Sequence, residues 1–216
     1  MLSQDDFVRY IHERAPYLLR SMGVPDNLIN PKISEIDSSL WDGAIASIKA
    51  GRGLYLRGLA GRGKSNMAVA VLRECMLSKI FNLGFDDTDY ENTTNRMIAA
   101  YRFEGTNEIL QAIRMSYSDS GISDNESAIL NRLYNCRVLV LDDFGVSKST
   151  EWVMQTFDAI IDFRHQNART KITIVTSNLS LDQIDEKYGD RIASRIAEMC
   201  DSFEITGPDR RILGHK

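Results

Sequence analysis

The sequence has 216 residues, of which 43% are hydrophobic and 26% charged, and its formal net charge is −4. This composition predicts one ordinary globular domain and argues against a surface coated in basic charge for nucleic acid, although a local basic patch remains compatible with it. Cys75, Cys136 and Cys200 form no C-x-x-C pair, which excludes a zinc ribbon and predicts buried thiols in a reducing compartment. The polar N-terminus and the lack of a long apolar run predict a cytoplasmic protein without a membrane partner.

The first predicted element is an amphipathic helix that starts near Gln4 and ends at Gly23. Apolar residues recur along it at spacings of three and four, which gives one apolar face. Pro16 should kink or restart this helix, because proline cannot donate the helical hydrogen bond. The apolar face could pack on the same domain or bind a partner, and the sequence favours neither. We therefore separate residues 1–23, as an N-terminal helical segment, from residues 24–216.

Helices and strands alternate through the rest of the chain. Residues 24–37, broken by two prolines, predict an irregular connection, and residues 82–95 predict an acidic exposed excursion. The predicted strands are 53–57, 102–104, 138–141, 171–176 and 202–205, and the predicted helices are 38–50, 65–80, 107–117, 125–134, 152–165 and 191–199. Residues 118–123 read as a polar loop. Such alternation is typical of a parallel sheet covered by helices on both faces.

Residues 58–65, GLAGRGKS, match the phosphate-binding pattern G-x-x-x-x-G-K-[ST] between a predicted strand and a predicted helix. Glycines let backbone N–H groups surround a phosphate. Lys64 can reach the β- and γ-phosphates, and the Ser65 hydroxyl can bind Mg²⁺. We therefore predict an ATP site whose nucleotide-binding residues are Gly58, Gly61, Arg62, Gly63, Lys64, Ser65 and Asn66.

Polar side chains at the ends of two later strands extend this site. Asp142 and Asp143 follow the apolar run 138–141, so that Asp142 would hold Mg²⁺ with Ser65 and Asp143 would polarise the attacking water. Asn178 ends the next strand, where its carboxamide can orient the water or touch the γ-phosphate. Arg195 lies on a later helix and could be offered to the γ-phosphate in a neighbouring subunit.

Together these motifs resemble AAA+ ATPases, and among them the bacterial replicative helicase loaders of the DnaC/DnaI type and the related IstB transposition helpers. The matching stretches are 58–65, VLVLDDFG at 138–145, STEWV at 149–153, ITIVTSNL at 172–179, GDRIASRIAEM at 189–199 and GPDRR at 207–211. The resemblance implies a three-layer α/β P-loop fold with a five-stranded parallel sheet in the order 5-1-4-3-2. The short remainder after the last strand implies little or no C-terminal helical lid.

The resemblance also implies roles and partners. Lys64 and Ser65 fall in the Walker A motif, Asp142 and Asp143 in Walker B, Asn178 at sensor I and Arg195 at the arginine finger. The implied activity is Mg²⁺-dependent ATP hydrolysis that loads a DnaB-type replicative helicase onto single-stranded DNA, with self-association on ATP binding. An IstB-like transposition ATPase is the alternative with the same site. A nucleotide-gated switch with negligible hydrolysis is the other, because many AAA+ proteins have glutamate where this chain has Asp143.

Overall fold

The computed structural model describes residues 4–78, 89–117 and 125–209. Its centre is a five-stranded sheet in which every pair of neighbouring strands is parallel. The strands lie in the order β2-β3-β4-β1-β5. They are β1 (Gly53–Arg57), β2 (Tyr101–Gly105), β3 (Val138–Phe144), β4 (Ile172–Ser177) and β5 (Cys200–Glu204). The predicted order, 5-1-4-3-2, is confirmed.

Helices cover both faces of this sheet. They are α1 (Gln4–Ser21), α2 (Ser38–Lys49), α3 (Lys64–Leu77), α4 (Tyr90–Ala100), α5 (Thr106–Ser116), α6 (Glu126–Asn135), α7 (Glu151–Gln166), α8 (Leu181–Tyr188) and α9 (Asp190–Met199). Alternate residues of the central strands β1, β3 and β4 enter two separate cores. Val138 and Val140 face a core shared with helices α1 to α4, whereas Leu139 and Leu141 face one shared with helices α5 to α9.

The pairing of β3 with β4 is interrupted between Leu141 and Phe144. Asp142 and Asp143 occupy this irregularity, at the carboxyl end of the buried strand. A bulge at such a position redirects side chains that would otherwise follow the regular pleat. The sheet therefore delivers both carboxylates to the edge where β1 also ends.

The N-terminal helix α1 runs unbroken through Pro16, so the predicted restart there is wrong. Residues on both sides of the proline, from Ile11 to Met22, are buried in the first core, and this packing keeps the two halves in one helix. The backbone N–H of Phe103 in β2 donates to the carbonyl of Met22, 2.8 Å away. The apolar face of α1 thus packs on this sheet, while the division at residues 23/24 stays a prediction.

Two further expectations need revision. Residues 90–95 belong to helix α4 and not to an exposed excursion, because Asp89 caps the helix and Thr93 and Met97 face the interior. Residues 82–88, like the predicted loop 118–123, lie outside the described residues. Helix α8 was not predicted, although Ser180 and Gln183 form a capping box that the sequence displays.

No helix among the described residues is long and apolar enough to cross a membrane. The described chain after β5, residues 205–209, contains no helix. Cys75, Cys136 and Cys200 are buried free thiols, as predicted.

Candidate functional site: a phosphate loop beside two carboxylates

The loop between β1 and α3 has the backbone geometry of a phosphate cradle. Gly61 and Gly63 adopt φ angles of +76° and +94°, in the left-handed region that glycine enters most readily. A Cβ added to Gly58 would lie 2.3 Å from the carbonyl oxygen of Ile205, so a side chain there would collide with backbone. Helix α3 begins at Lys64 and points its free N–H groups, with their partial positive charge, into the loop.

Lys64 is directed back across the loop. Its side chain is only 5% exposed, and its ammonium donates to the carbonyl of Leu59 at 3.0 Å and to Oδ1 of Asn178 at 2.6 Å. The predicted Walker A lysine and the predicted sensor residue therefore meet, although 114 residues separate them in the sequence. Both contacts are to neutral oxygens, which a phosphate can replace with a stronger charge-assisted bond.

Asp142 and Ser65 form the second half of the site. The Ser65 hydroxyl donates to Oδ2 of Asp142 at 3.0 Å, and the buried Thr176 hydroxyl donates to Oδ1 at 2.6 Å. Burial raises the pKa of Asp142, against the opposing effect of these two hydrogen bonds. A hydroxyl and a carboxylate side by side are hard oxygen ligands, so these residues fit Mg²⁺.

Asp143 is held in a different way. Among the described residues, Asp143 is the one non-glycine residue with a positive φ angle, at +55°. Its N–H donates to the Thr176 hydroxyl at 2.9 Å, and its carbonyl accepts from the Thr106 hydroxyl at 2.9 Å. These bonds hold a backbone conformation that is costly for aspartate. The exposed carboxylate borders the cleft described next.

A cleft of about 640 Å³ joins these parts. Of the predicted residues, its walls include Gly61, Gly63, Lys64, Ser65, Asn66, Asp142, Asp143 and Asn178, but not Gly58 or Arg62. Gly58 lies against the chain beyond β5, which explains its need for hydrogen in place of a side chain. Eight of the predicted site residues therefore line one cleft.

The opposite wall of the cleft was not predicted. It consists of Pro25, Asn27, Leu28, Lys32 and Glu35, which belong to the predicted irregular connection 24–37. Asn66 fixes this connection to the start of α3, because its Oδ1 accepts from the backbone N–H of Lys32 at 3.0 Å. Two prolines and two short 3₁₀ turns carry no phosphate-binding pattern, so no sequence signal marked this wall.

Arg195 does not reach the cleft of its own chain. It lies on α9, where its guanidinium contacts Asp158 at 3.0 Å and Asp162 at 2.5 Å, both on α7. Arg191, one turn earlier, makes looser contacts with the same two carboxylates. The predicted arginine therefore has partners within the protomer, and its role towards a second subunit stays a prediction.

A strand, a glycine loop with a buried lysine and an acidic pair on a strand two places away together define a P-loop nucleotide-binding fold of the AAA+ type. No family model matches the chain. It is 24% identical to the replicative helicase loader DnaC of Escherichia coli K12, over 72% of this chain and 52% of the relative. It is 22% identical to the replicative helicase loader DnaI of Bacillus subtilis, over 90% of this chain and 62% of the relative.

Comparison with solved structures also identifies the fold. A crystal structure of the DnaC helicase loader matches with a TM-score of 0.58 and 20% identity, over 83% of this chain and 97% of that one. A DnaI crystal structure matches with a TM-score of 0.62 and 22% identity, over 86% and 96%. AMPPCP-bound DnaA from Aquifex aeolicus matches with a TM-score of 0.53 and 16% identity, over 80% and 47%. The chain has the AAA+ fold and resembles the DnaC and DnaI type, as its motifs predicted.

Proposed function

We propose that this chain binds and hydrolyses ATP in order to load a replicative DNA helicase onto single-stranded DNA. The convergence of Lys64, Ser65, Asp142 and Asn178 on one cleft carries the proposal for ATP. Similarity to two relatives that are named replicative helicase loaders supports the assignment to helicase loading. The chain spans 52% and 62% of the lengths of these relatives. Binding of a helicase is therefore proposed for this chain and is not taken over from the relatives.

The residues of the cleft have separate tasks in this proposal. Lys64 leaves Leu59 and Asn178 for the β- and γ-phosphates, while the N–H groups around Gly61 and Gly63 bind the phosphate oxygens. Asn178, released from the lysine, contacts the γ-phosphate or the attacking water. A Mg²⁺ ion held by Ser65 and Asp142 would neutralise phosphate charge when bound.

Asp143 and Arg195 complete the proposed reaction. Asp143 accepts a hydrogen bond from the attacking water and keeps it in line with the γ-phosphate. Arg195 comes from the next subunit of a homo-oligomer that forms on ATP binding, and it stabilises the charge that develops on the phosphate. Hydrolysis would therefore require both ATP and a neighbouring protomer.

A second cleft, of about 470 Å³, offers a surface for single-stranded DNA. Its walls include Asn107, Gln111 and Arg114 of α5 and Lys148 of the loop that follows β3. The Arg114 guanidinium stacks on the Trp152 ring at 4.7 Å, and the two cations fit phosphates while the amides fit base edges.

Steady-state ATPase measurements with and without single-stranded DNA test the enzymatic part of the proposal. Asp143→Asn should abolish turnover and leave ATP affinity within about twofold of the original, because the carboxylate acts on water rather than on the phosphates. Lys49→Ala, an exposed change on α2, serves as a control. Turnover that survives Asp143→Asn would contradict the assigned role of Asp143.

The helicase part needs its own experiment. Affinity capture from the native host, in ATP and in ADP, should retain a DnaB-type helicase in a nucleotide-dependent way. Retention of a transposase would instead support the IstB-like alternative, which the two relatives do not favour. Recovery of neither protein would contradict the proposed partner.

The second candidate function is a nucleotide-gated switch with negligible hydrolysis. The short side chain of Asp143 favours it, since aspartate reaches less far towards the water than the glutamate of many AAA+ proteins. Tight ATP binding without turnover, in the presence of single-stranded DNA and the helicase, would support the switch over the enzyme.

A further inference from the structure

Arg195 is part of a four-residue cluster between α7 and α9. Asp158 and Asp162 lie one turn apart on α7, Arg191 and Arg195 lie one turn apart on α9, and each arginine contacts both carboxylates. The cluster has two positive and two negative charges. Ile192 and Ile196 of α9 are buried in the second core, so α9 keeps its arginines turned towards α7.

The two arginines are held unequally. The Arg195 side chain is 18% exposed, and each of its terminal nitrogens contacts one carboxylate, at 3.0 and 2.5 Å. The Arg191 side chain is 60% exposed, and its contacts are 3.3 and 3.9 Å long. Arg195 is therefore fixed in the resting protomer, whereas Arg191 has room to adjust.

A guanidinium that is already paired with two carboxylates stabilises a distant phosphate poorly, because the opposite charges cancel its field. Both terminal nitrogens of Arg195 lie against aspartates, and one of them donates a hydrogen bond to Asp158. These nitrogens are the atoms that bind phosphate in a bidentate way. For Arg195 to act on the next subunit, it has to leave at least one of these carboxylates.

We propose that Asp158 and Asp162 restrain Arg195 in the isolated protomer, and that the triphosphate of the next subunit draws it away in exchange for the carboxylates. Arg191 then moves closer to both aspartates, so their charge stays compensated when Arg195 leaves. This regulation rests on the proposed role of Arg195 in trans. It makes subunit contact, and not ATP binding alone, the step that frees the arginine.

Neutralising the two carboxylates tests the restraint. In the full chain, Asp158→Asn with Asp162→Asn should lower the protein concentration that gives half-maximal ATPase activity by about fivefold, given the usual strength of partly exposed ion pairs. Each single variant should give about a twofold change. Asp42→Asn, an exposed aspartate on α2, is the matched control and should behave as the original chain does. Urea titration checks that every variant is folded.

Sedimentation velocity in a non-hydrolysable ATP analogue gives a second readout that needs no turnover, and the midpoint of self-association should shift in the same direction. An unchanged midpoint in both assays, or a lower maximal rate at an unchanged midpoint, would overturn the restraint. Arg195→Ala separates this failure from that of the proposed function. If Arg195→Ala keeps the original concentration-dependent turnover, the role of Arg195 in trans is wrong whatever the aspartate variants do.

Discussion

Thr176→Val tests the part of the site that joins the two strands β3 and β4. The Thr176 side chain is fully buried, and valine has nearly its shape, so the change removes the hydroxyl and little else. That hydroxyl donates to Oδ1 of Asp142 at 2.6 Å and accepts from the N–H of Asp143 at 2.9 Å. Both acidic residues of the predicted Walker B motif therefore lose a hydrogen-bond partner at once.

The loss of stability expected for Thr176→Val follows from the loss of these two hydrogen bonds. A hydrogen bond to a charged group contributes about 1.5–3 kcal/mol and a neutral one about 0.5–1.5 kcal/mol, which gives about 2–4.5 kcal/mol of lost stability. The Thr176 bond lowers the pKa of Asp142, against burial, so its loss raises this pKa further.

Urea titration at pH 7 without nucleotide measures this loss. Thr156→Val is the matched control, because the Thr156 hydroxyl donates only to the Trp152 carbonyl of its own helix, and it should cost under about 1 kcal/mol. Binding of the magnesium nucleotide should also weaken in Thr176→Val. A stability within about 0.5 kcal/mol of the original chain would refute the reasoning, since differences of that size are typical of changes that touch no special contact.

Three further predictions concern the loop, the buried arginine and the thiols. Lys64→Ala should lose most ATP affinity in a titration calorimeter, and an unchanged affinity would contradict the phosphate cradle. Arg164, fully buried, donates to the carbonyls of Leu133, Cys136 and Ile172, so Arg164→Met should cost about 3–5 kcal/mol in urea titration, and a loss under about 1 kcal/mol would show that these carbonyls find other partners. Burial raises the pKa of Cys75 and Cys200 to about 12. Because these thiols ionise above pH 9 only in the unfolded chain, stability should fall between pH 9 and pH 12, by up to about 1.4 kcal/mol per pH unit for each thiol. A free energy of unfolding that stays constant between pH 9 and pH 12 would contradict the raised pKa values of these thiols.

The sequence predicted the fold correctly where a pattern of residues has a single physical explanation. The run 138–141 is apolar on both faces, and only a central parallel strand buries both. The glycines of residues 58–63 need backbone conformations that few other residues adopt. Such signals are local, so the central strand and most of the phosphate site could be predicted from the residues alone, whereas the strand order was implied by the resemblance to AAA+ ATPases.

The errors have equally physical causes. The polarity of residues 90–95 indicated an exposed loop, but the Asp89 cap and the inward face of α4 outweigh it. Pro16 indicated a break, yet the buried residues on each side of it keep α1 continuous. In both cases tertiary packing overrode a local preference, and packing partners distant in the chain are invisible to a pattern of neighbouring residues.

The ion pairs of Arg195 show the same limit at the level of function. A spacing of four residues places Arg191 and Arg195 on one helix face, and the sequence can say no more than that. Whether this face meets solvent, a neighbouring subunit or a pair of aspartates depends on how α7 lies against α9. Asp158 and Asp162 are also four residues apart, but nothing in the sequence pairs one helix with the other.

The loop after the acidic pair links the cleft to the helices that carry Arg195. The Lys187 ammonium donates to the carbonyl of Gly145 at 2.6 Å, and the Tyr188 hydroxyl donates to the carbonyl of Ser147 at 3.0 Å. Both donors lie at the end of α8, which continues through Gly189 into α9. Any shift of the loop that follows Asp143 is therefore opposed by bonds to the segment that carries Arg195. The residue proposed to activate water in a protomer's own site and the arginine proposed for its neighbour's site therefore belong to one packed unit, because helices α8 and α9 bond the loop after Asp143 and carry Arg195.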